Sequence, residues 1–542
     1  MKHTRRARNR KRQAAAVLSF LAVFGTMGIE AKAETETGYL KSATYYGDDW
    51  VINFWNLEDT HLEEDMAKIK ADGFNSIILA VPWREFQIDM EDRRYNQYAI
   101  DKLHRVMDAA DRAGLSVLLR VGYTWDHAGN DNVLERYQKL LYDQPVQEAW
   151  RDYVGRIYQE ASRHSNFYGG FLTWEDFWNF THVAGDLGDS EESRRLAEQT
   201  GYQDYLKETI SLEEAERQYE EDFSDWDEVY FPERDEEAYG LFLSFYDNWL
   251  NELLLESQQE FPNLSMEVRT DVDPIELGDG QQQGFSHTAT FGCQNSSFTS
   301  LMYSVSMGMA AGNDHMSAAQ VLPQTAATLD WVSQYNGGKP LYIDQFLFTD
   351  NTPGFEENPK LDEAEMPVYL TQCASVLKEK TMGYGIWTYR DYGNNMIYNS
   401  QFALDQEGWS FSGDSRIEER NGSKAAVIGK KGSISQDLDG RIPGSSRIHV
   451  EFYAEAENGG ASGTGRLGGD EQTIHVGEGK TYRMEFASLP RYTFSITAER
   501  RIHVDDIRVY TYEQNGRIYE RDGSAGDLAG DFRTLNGELA AE

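Results

Sequence analysis

Residues 169–178 read GGFLTWEDFW and join an apolar run to two adjacent carboxyl groups. The run GGFLT has the composition of a buried strand, and Glu175 and Asp176 stand close after it. Trp174 precedes the two acids, and two further aromatic residues follow them. Carboxyl groups donate and accept protons, and flat apolar rings stack on sugar rings, so this segment suits acid–base chemistry on a sugar.

Strand-like apolar runs alternate with amphipathic helical patterns from about residue 40 to residue 392. The first strand candidate is VINFW at 51–55, with KSATYY at 41–46 as the alternative. The others are 74–83, 115–123, 168–176, 264–271, 287–293, 339–348 and 382–389. Eight such units predict an α/β chain with a (β/α)8 TIM barrel. A doubly wound open sheet is the alternative, but it gives no reason for so many strand ends that carry acids and aromatic rings.

Three segments depart from this alternation. Residues 181–235 form an acidic insertion after the fourth strand, either a lid over the site or a solvated excursion; we favour the second, because charge runs are usually solvated. Residues 398–512 contain short alternating runs between turn residues, which predict a jelly-roll-like β-sandwich. Residues 513–542 are polar and are expected to form a loosely ordered tail.

The N-terminus has the features of an export signal. Residues 1–13 are strongly basic, residues 14–29 are apolar, and Ala31-Lys32-Ala33 fits the small-residue cleavage rule. We therefore expect a signal peptide over 1–33 and a secreted protein without a membrane span in its mature chain. A retained N-terminal anchor at the cell surface is the alternative, because the basic region is unusually long.

Charge and cysteine content limit the partners. The chain carries 91 Asp and Glu against 51 Lys and Arg, a net charge of −40. This disfavours nucleic acid and anionic membranes and is compatible with a neutral glycan. Cys293 and Cys373 are expected to be buried free thiols. The sequence has no zinc pattern, P-loop or dinucleotide fingerprint, so we expect no cofactor and no metal, and a monomer.

In a (β/α)8 barrel the site lies at the C-terminal ends of the strands. Arg120 is as consistent with an ion pair inside the barrel as with substrate contact, and Glu267 is more consistent with a partner for an arginine than with catalysis. Trp83 is slightly favoured as a sugar platform over a packing residue. The candidate substrate-binding residues at these ends are Trp83, Arg120, Tyr123, Trp125, Trp174, Asp176, Glu267, Gln345 and Trp387.

The ordered set FNSIILAVPWREFQ, YAIDKLHRVMDAADRAGLSVLLRVG, GGFLTWED, KPLYIDQF and GYGIWTY resembles the clan of retaining (β/α)8 glycoside hydrolases, which includes cellulases, β-galactosidases and β-mannanases. The resemblance covers about residues 40–392. It implies a Glu acid/base at the end of strand four, a Glu nucleophile at the end of strand seven, and a Trp at the end of strand eight that forms the floor of a sugar subsite. Trp387 matches the last of these positions.

The sequence departs from the clan at strand four. The clan usually has Asn-Glu there, and this chain has Trp174-Glu175-Asp176. Glu175 is the preferred acid/base, because its longer side chain reaches further from the strand end, and Asp176 is the alternative.

Strand seven departs further. Gln345 stands where the clan has a Glu, and an amide cannot act as a carboxylate nucleophile. Asp344 becomes the leading candidate nucleophile, with Glu267 and Asp271 as alternatives. Retention, inversion and binding without turnover all stay open, because the separation of the carboxyl groups decides between them.

The C-terminal segments NSQFALDQEGWSFSG, GSISQDL and IHVDDIRVY resemble jelly-roll carbohydrate-binding modules. Trp409 and Gln436 match that pattern, although packing is at least as good an explanation for Trp409, and Asp505 or Asp506 is a weak calcium candidate. The resemblances together imply a secreted glycoside hydrolase that cleaves a β-linked polysaccharide internally, such as a β-glucan or exopolysaccharide. The alternative is a non-catalytic extracellular glycan-binding protein on a degenerate barrel.

Overall fold

The structure is a computed structural model that is described over most of the chain. The described residues are 38–58, 61–122, 133–173, 180–181, 184–269, 274–278, 281–284, 288–305, 315–347, 360–420, 423–438, 447–457, 460–467, 470–487, 493–513 and 518–541. The predicted signal peptide lies outside them. None of the described helices is long and apolar enough to cross a membrane.

Eight parallel strands close into a barrel in which each strand pairs with its neighbours along the chain and the eighth pairs with the first. They are β1 (Leu40–Thr44), β2 (Ser76–Val81), β3 (Ser116–Val121), β4 (Phe167–Leu172), β5 (Ser265–Arg269), β6 (Thr299–Ser304), β7 (Leu341–Leu347) and β8 (Gly383–Ile386). This confirms the predicted (β/α)8 fold.

Two of the strand predictions are wrong. The run 51–55 forms a turn and the 3-10 helix Asn53–Asn56, and β1 lies in the alternative segment. The run 287–293 contains the 3-10 helix Ala289–Gly292, and β6 follows it. Both true strands carry small hydroxyl residues that face the barrel interior, where Ser42 hydrogen-bonds to Ser76 and Ser300 to Asp344, so their apolar signal is weak.

Helices cover the outside of the barrel. The helix Gln97–Ala113 shows why they form: the Asn96 side chain accepts the Ala99 N–H at its start, and Gly114 ends it at φ 69°. The barrel helices are Leu62–Ala71, Trp83–Phe86, Gln97–Ala113, Val133–Leu140, Gln144–Ala161, Tyr239–Glu260, Ala318–Tyr335 and Met366–Lys380. Short strand pairs join Gln87–Asp89 to Arg94–Tyr95, Pro274–Gly278 to Gln281–Gly284, and His315–Met316 to Lys360–Leu361.

The acidic insertion folds as a helical layer. Its helices Glu191–Thr200, Tyr202–Thr209 and Leu212–Tyr219 leave most charged side chains in solvent, whereas aromatic residues between them are buried. Tyr202 packs 5.4 Å from Phe231 between ring centres, and Phe231 packs 5.0 Å from Phe242 of the helix Tyr239–Glu260. The segment thus exposes its charged residues, and its buried aromatic residues join the core of the barrel helices.

The C-terminal region is a sandwich of two antiparallel sheets. Its strands are β9 (Tyr392–Asn395), β10 (Ser410–Ser412), β11 (Arg416–Arg420), β12 (Ser423–Ile428), β13 (Ser433–Asp437), β14 (Ile448–Ala456), β15 (Ala461–Leu467), β16 (Asp470–Val476), β17 (Lys480–Phe486), β18 (Thr493–Ala498) and β19 (Ile502–Glu513). One sheet has the order β11-β12-β19-β14-β17, with β9 added to β19, and the other has the order β10-β13-β18-β15-β16. Alternate residues of β14, from Ile448 to Ala454, are buried between the sheets.

The chain returns to the barrel after the sandwich. The expectation of a loosely ordered tail is wrong for the helix Ala529–Ala540, whose Asn536 receives hydrogen bonds from Lys41 of β1 and Tyr384 of β8 and donates one to the carbonyl of Asp72. This helix therefore covers the β8–β1 junction, where the last helix of a (β/α)8 barrel belongs. The sandwich is an insertion between the eighth strand and that helix.

Candidate functional site

Four aromatic residues cluster where β1 and β8 end. Trp387 directly follows β8, and its ring centre lies 5.6 Å from Tyr46 and 5.9 Å from Trp50, which belong to the segment after β1. Tyr392 lies 5.4 Å from Tyr46 and 5.0 Å from Trp50. Because the strands are parallel, both ends lie at the C-terminal rim of the barrel. We call these four residues the aromatic wall; Trp387 is 8 % exposed and Trp50 is half-buried.

An ion pair lies inside the barrel below this rim. Alternation along β3 places Leu118 and Arg120 on the interior side, since Val117, Leu119 and Val121 pack in the outer core. The Arg120 guanidinium contacts the Glu267 carboxylate of β5 at 2.8 Å, and both side chains are at most 4 % exposed. This geometry favours the ion-pair role that the sequence left open for Arg120.

Asp344 sits at a β-bulge of β7. Leu301 of β6 pairs with Ile343 and the next residue, Met302, pairs with Gln345, so Asp344 is the extra residue. Asp344 is buried, and its Oδ2 accepts a hydrogen bond from the Ser300 hydroxyl at 2.5 Å.

Asp344 and Glu267 act as one titrating unit. The pKa of Asp344 is raised well above its ordinary value, first by burial and then by the charge of Glu267, with which it shares a hydrogen bond; Arg120 lowers it. Burial and the neighbouring charge of Glu267 therefore both disfavour the ionised form of Asp344. Hydrogen-bonded carboxyls are too close to flank a glycosidic bond, which needs a separation of about 5 Å or more, so they count as a single carboxyl of any catalytic pair.

Gln345 lies next to this pair and is buried. Its Oε1 atom makes no hydrogen bond to any of the described residues. An amide does not ionise, so the residue at the position expected for a nucleophile supplies a polar contact at most.

Trp83 lies away from solvent. Its ring packs 5.0 Å from Trp150 and 6.1 Å from Tyr153, its Nε1 donates to Gln87, and the side chain is 0 % exposed. The Arg136 guanidinium lies 5.0 Å from the ring centre. This environment favours the packing alternative over the sugar platform that the sequence slightly favoured.

The predicted residues at the ends of β3 and β4 fall outside the described part of the chain. These are Tyr123, Trp125, Trp174, Glu175 and Asp176, and Asp271 after β5 also lies outside it. Their roles stay predictions. Along the sequence, Glu175 follows Leu172, the last residue of β4, by three positions.

Sequence reasoning missed part of the site. Tyr46, Trp50 and Tyr392 were not predicted to contact Trp387, because the first strand was placed at 51–55. The alternative first strand, KSATYY at 41–46, contained a signal that could have found Tyr46, because Tyr46 is its last residue. Ser300 was missed for the same reason, since β6 was placed before it.

The C-terminal candidates have structural partners. Trp409 is buried, and its Nε1 donates to the carbonyl of Asn399 at 3.1 Å. Gln436 hydrogen-bonds to both the N–H and the carbonyl of Tyr398. Neither is placed as a glycan platform. Within the described residues, no group of three or more His, Cys, Asp or Glu side chains is arranged to hold a metal ion.

Comparison with known proteins yields structural similarities only. No protein-family model and no curated protein sequence matches the chain. Among solved structures, GH5_18 from Bifidobacterium longum subsp. longum is 14% identical, with a TM-score of 0.38 over 65% of this chain and 71% of that one. The exo-β-1,4-mannosidase Op5Man5 from Opitutaceae bacterium strain TAV5 is 12% identical, with a TM-score of 0.40 over 66% and 53% of the two chains.

A third similar structure is the β-galactosidase from the psychrophilic Marinomonas ef1, which is 12% identical, with a TM-score of 0.45 over 65% of this chain and 54% of that one. Identities and TM-scores this low do not transfer an activity or a substrate. The function is therefore argued from the residues of this chain.

Proposed function

We propose that this protein is a secreted glycoside hydrolase that cleaves a β-linked polysaccharide at internal bonds. The observation that carries the proposal is the aromatic wall at the rim of a closed (β/α)8 barrel, above a buried carboxyl pair from β5 and β7. Aromatic faces bind sugar rings, and carboxyl groups perform the proton transfer and charge stabilisation of glycoside cleavage.

Glu175 is the proposed acid/base, which protonates the glycosidic oxygen. The Glu267–Asp344 pair is the proposed facing carboxyl, with Asp344 as the member that approaches the sugar. Arg120 forms an ion pair with Glu267 and lowers the pKa of Asp344, whereas burial and the charge of Glu267 raise it. The ionised Asp344 carboxylate would stabilise the oxocarbenium-like transition state, or its oxygen would attack the anomeric carbon.

Hydrolysis of a panel of β-linked glucans, mannans and galactans, followed by detection of reducing ends, tests the proposal. Wild type should release oligosaccharides from at least one polymer, and Glu175→Gln should lower kcat/KM by about 10²–10⁴-fold. Glu160→Gln, a change of a buried glutamate on the outer helix Gln144–Ala161, is the control. Full activity in Glu175→Gln would remove Glu175 from the mechanism.

A second candidate function is glycan binding without turnover. Gln345 and the burial of Asp344 favour it, because an amide cannot ionise and burial raises the pKa of the Asp344 carboxyl. Saturable binding of a polymer with no reducing ends after a long incubation at several pH values would decide for this candidate.

Secretion rests on the basic and apolar N-terminal segments of the sequence. Expression of the full chain in a secreting host tests it. A mature N-terminus at Glu34 in the culture medium is the expected result, and retention in the membrane fraction would favour the anchor.

A further inference from the structure

The segment after β8 makes backbone contacts with both the barrel and the sandwich. Strand β9 pairs with the end of β19, and its Gly393 also bonds to the loop after β1. The Gly393 N–H donates to the carbonyl of Asp48 at 2.9 Å, and its carbonyl accepts the Trp50 N–H at 3.0 Å. The backbone that carries one ring of the aromatic wall is therefore bonded to a strand of the sandwich sheet.

Arg508 of β19 holds the same loop through charge. Its guanidinium lies 3.0 Å from Asp49 and 3.6 Å from Asp48, and it donates to the carbonyl of Glu58 at 3.3 Å. The Asp49 side chain is 4 % exposed, so Arg508 supplies the positive charge that a buried carboxylate requires. Loss of this charge would leave Asp49 either protonated or displaced, and Trp50 is the next residue.

Other contacts join this loop to the sandwich region, among them a hydrogen bond from the Asn53 side chain to the carbonyl of Ile397 at 3.2 Å. A cleft of about 690 Å³ lies between them, lined from the barrel side by residues such as Tyr46 and Phe54 and from the sandwich side by Arg508 and Tyr510. Arg521 contacts Asp48 twice, since it donates to the carbonyl at 3.1 Å and lies 3.1 Å from the carboxylate. Arg508 is therefore one of several polar groups that hold the loop across the cleft.

The sandwich itself is held at both ends. It begins in β9 and ends before the helix Ala529–Ala540, which packs on the barrel. The Asp391 N–H donates to the carbonyl of Tyr519 at 2.9 Å, so the two chain crossings lie side by side. Because the sandwich is attached to the barrel at both chain crossings, its contacts can hold the loop in place.

We propose that Arg508 is a positioning residue for the aromatic wall, and that the inserted sandwich braces the loop 45–58 through it. The loop places Tyr46 and Trp50 against Trp387, and Arg508 fixes the loop from outside the barrel. The effect on sugar binding rests on the proposed function, whereas the effect on the loop does not.

The full chain is compared with Arg508→Met, Arg508→Lys and the control Arg501→Met. Arg501 makes ion pairs of 2.7 Å and 3.5 Å with Glu418 and Glu457 inside the sandwich, so its loss tests a similar change away from the loop. Hydrogen exchange followed by mass spectrometry reports on the amides of residues 46–56 without any substrate. Steady-state kinetics on the polymer that wild type cleaves report on the wall.

Arg508→Met should speed exchange over 46–56 at least tenfold and raise KM about tenfold, with kcat changed less than threefold. Arg508→Lys should restore part of the slow exchange and part of the low KM. Arg501→Met should change neither the exchange rate nor KM. Unchanged exchange in Arg508→Met overturns the proposal, and so does faster exchange with unchanged KM. If wild type neither cleaves nor binds a glycan, the proposed function fails by itself, and the exchange result alone decides whether Arg508 holds the loop.

Discussion

Arg120 of β3 and Glu267 of β5 form an ion pair of 2.8 Å inside the barrel, with both side chains almost completely removed from solvent. Asp344 of β7 joins this pair through Glu267. Three strands are therefore linked by one cation and two neighbouring carboxyl groups. The charges of Arg120 and Glu267 shift the pKa of Asp344 in opposite directions.

Replacement of Glu267 by Gln should move the pH profile of hydrolysis. The charge of Glu267 raises the pKa of Asp344, so its removal lowers that pKa, and the ionised form of Asp344 persists to lower pH. If Asp344 acts as a carboxylate, the rising limb of kcat/KM should shift to lower pH by at least one unit. Glu160→Gln is the control, and a limb that stays in place would separate Asp344 from the chemistry.

Replacement of Arg120 by Met should destabilise the fold by about 3–5 kcal/mol, because it leaves buried carboxyls without a cation. Urea unfolding at neutral pH measures the loss. The double variant Arg120→Met/Glu267→Leu should recover a large part of it, since it also removes the uncompensated charge. Arg151→Met breaks a half-exposed pair with Glu256 at 3.9 Å and should change stability by less than about 1 kcal/mol. Equal losses in the two single variants would contradict this account.

The C-terminal helix Ala529–Ala540 should contribute to the stability of the fold as the other barrel helices do. Asn536→Ala leaves the buried Tyr384 hydroxyl without its acceptor and the carbonyl of Asp72 without its donor. A loss of about 2–4 kcal/mol is expected, read from urea unfolding. Thr534→Ala, on the exposed face of the same helix, should stay within about 0.5 kcal/mol. A small effect of Asn536→Ala would mean that the helix is not part of the barrel wall.

The fold was largely predictable because most barrel strands are continuous apolar runs between amphipathic helices. The prediction failed where a barrel strand carries polar residues, or where a loop is apolar because it is buried. Ser42 and Ser300 line the barrel interior with hydroxyls, and apolar residues such as Val51 are buried in a loop, so hydrophobicity alone chose the wrong segments. The helix Ala529–Ala540 was missed because it has few apolar residues, and these pack near β1 and β8, which are distant in sequence.

The site was predictable in type more than in detail. Placing strand ends together brought out Arg120, Glu267, Asp344 and Trp387. The sequence could not show the β-bulge at Asp344, because a bulge depends on the pairing register with β6. It also could not show that the sandwich contacts the loop after β1.

Acid should stabilise the protein through Asp247. Burial raises the pKa of this carboxyl to about 6, against hydrogen bonds from Ala289 and Thr290 that lower it. The folded state then holds a proton that the unfolded state has lost, so the free energy of unfolding falls by roughly 3 kcal/mol as pH rises from about 4 to about 6. In Asp247→Asn that part of the slope should disappear from unfolding curves, whereas Asp204→Asn, an exposed change, should keep it. The same slope in both variants would refute the assignment.

Trp50 offers the most accessible ring of the aromatic wall, since Trp387 is largely covered by it and by Tyr46. Trp50→Ala should therefore weaken binding of the glycan that wild type recognises by at least about tenfold, which corresponds to roughly 1.4 kcal/mol. Trp331→Ala is the matched control. Trp331 lies in the helix Ala318–Tyr335, is also half-buried, and packs on the rings of Phe291 and Tyr335. Isothermal titration with oligosaccharides of increasing length measures both variants. Equal affinity in wild type and Trp50→Ala would show that sugars do not contact this wall.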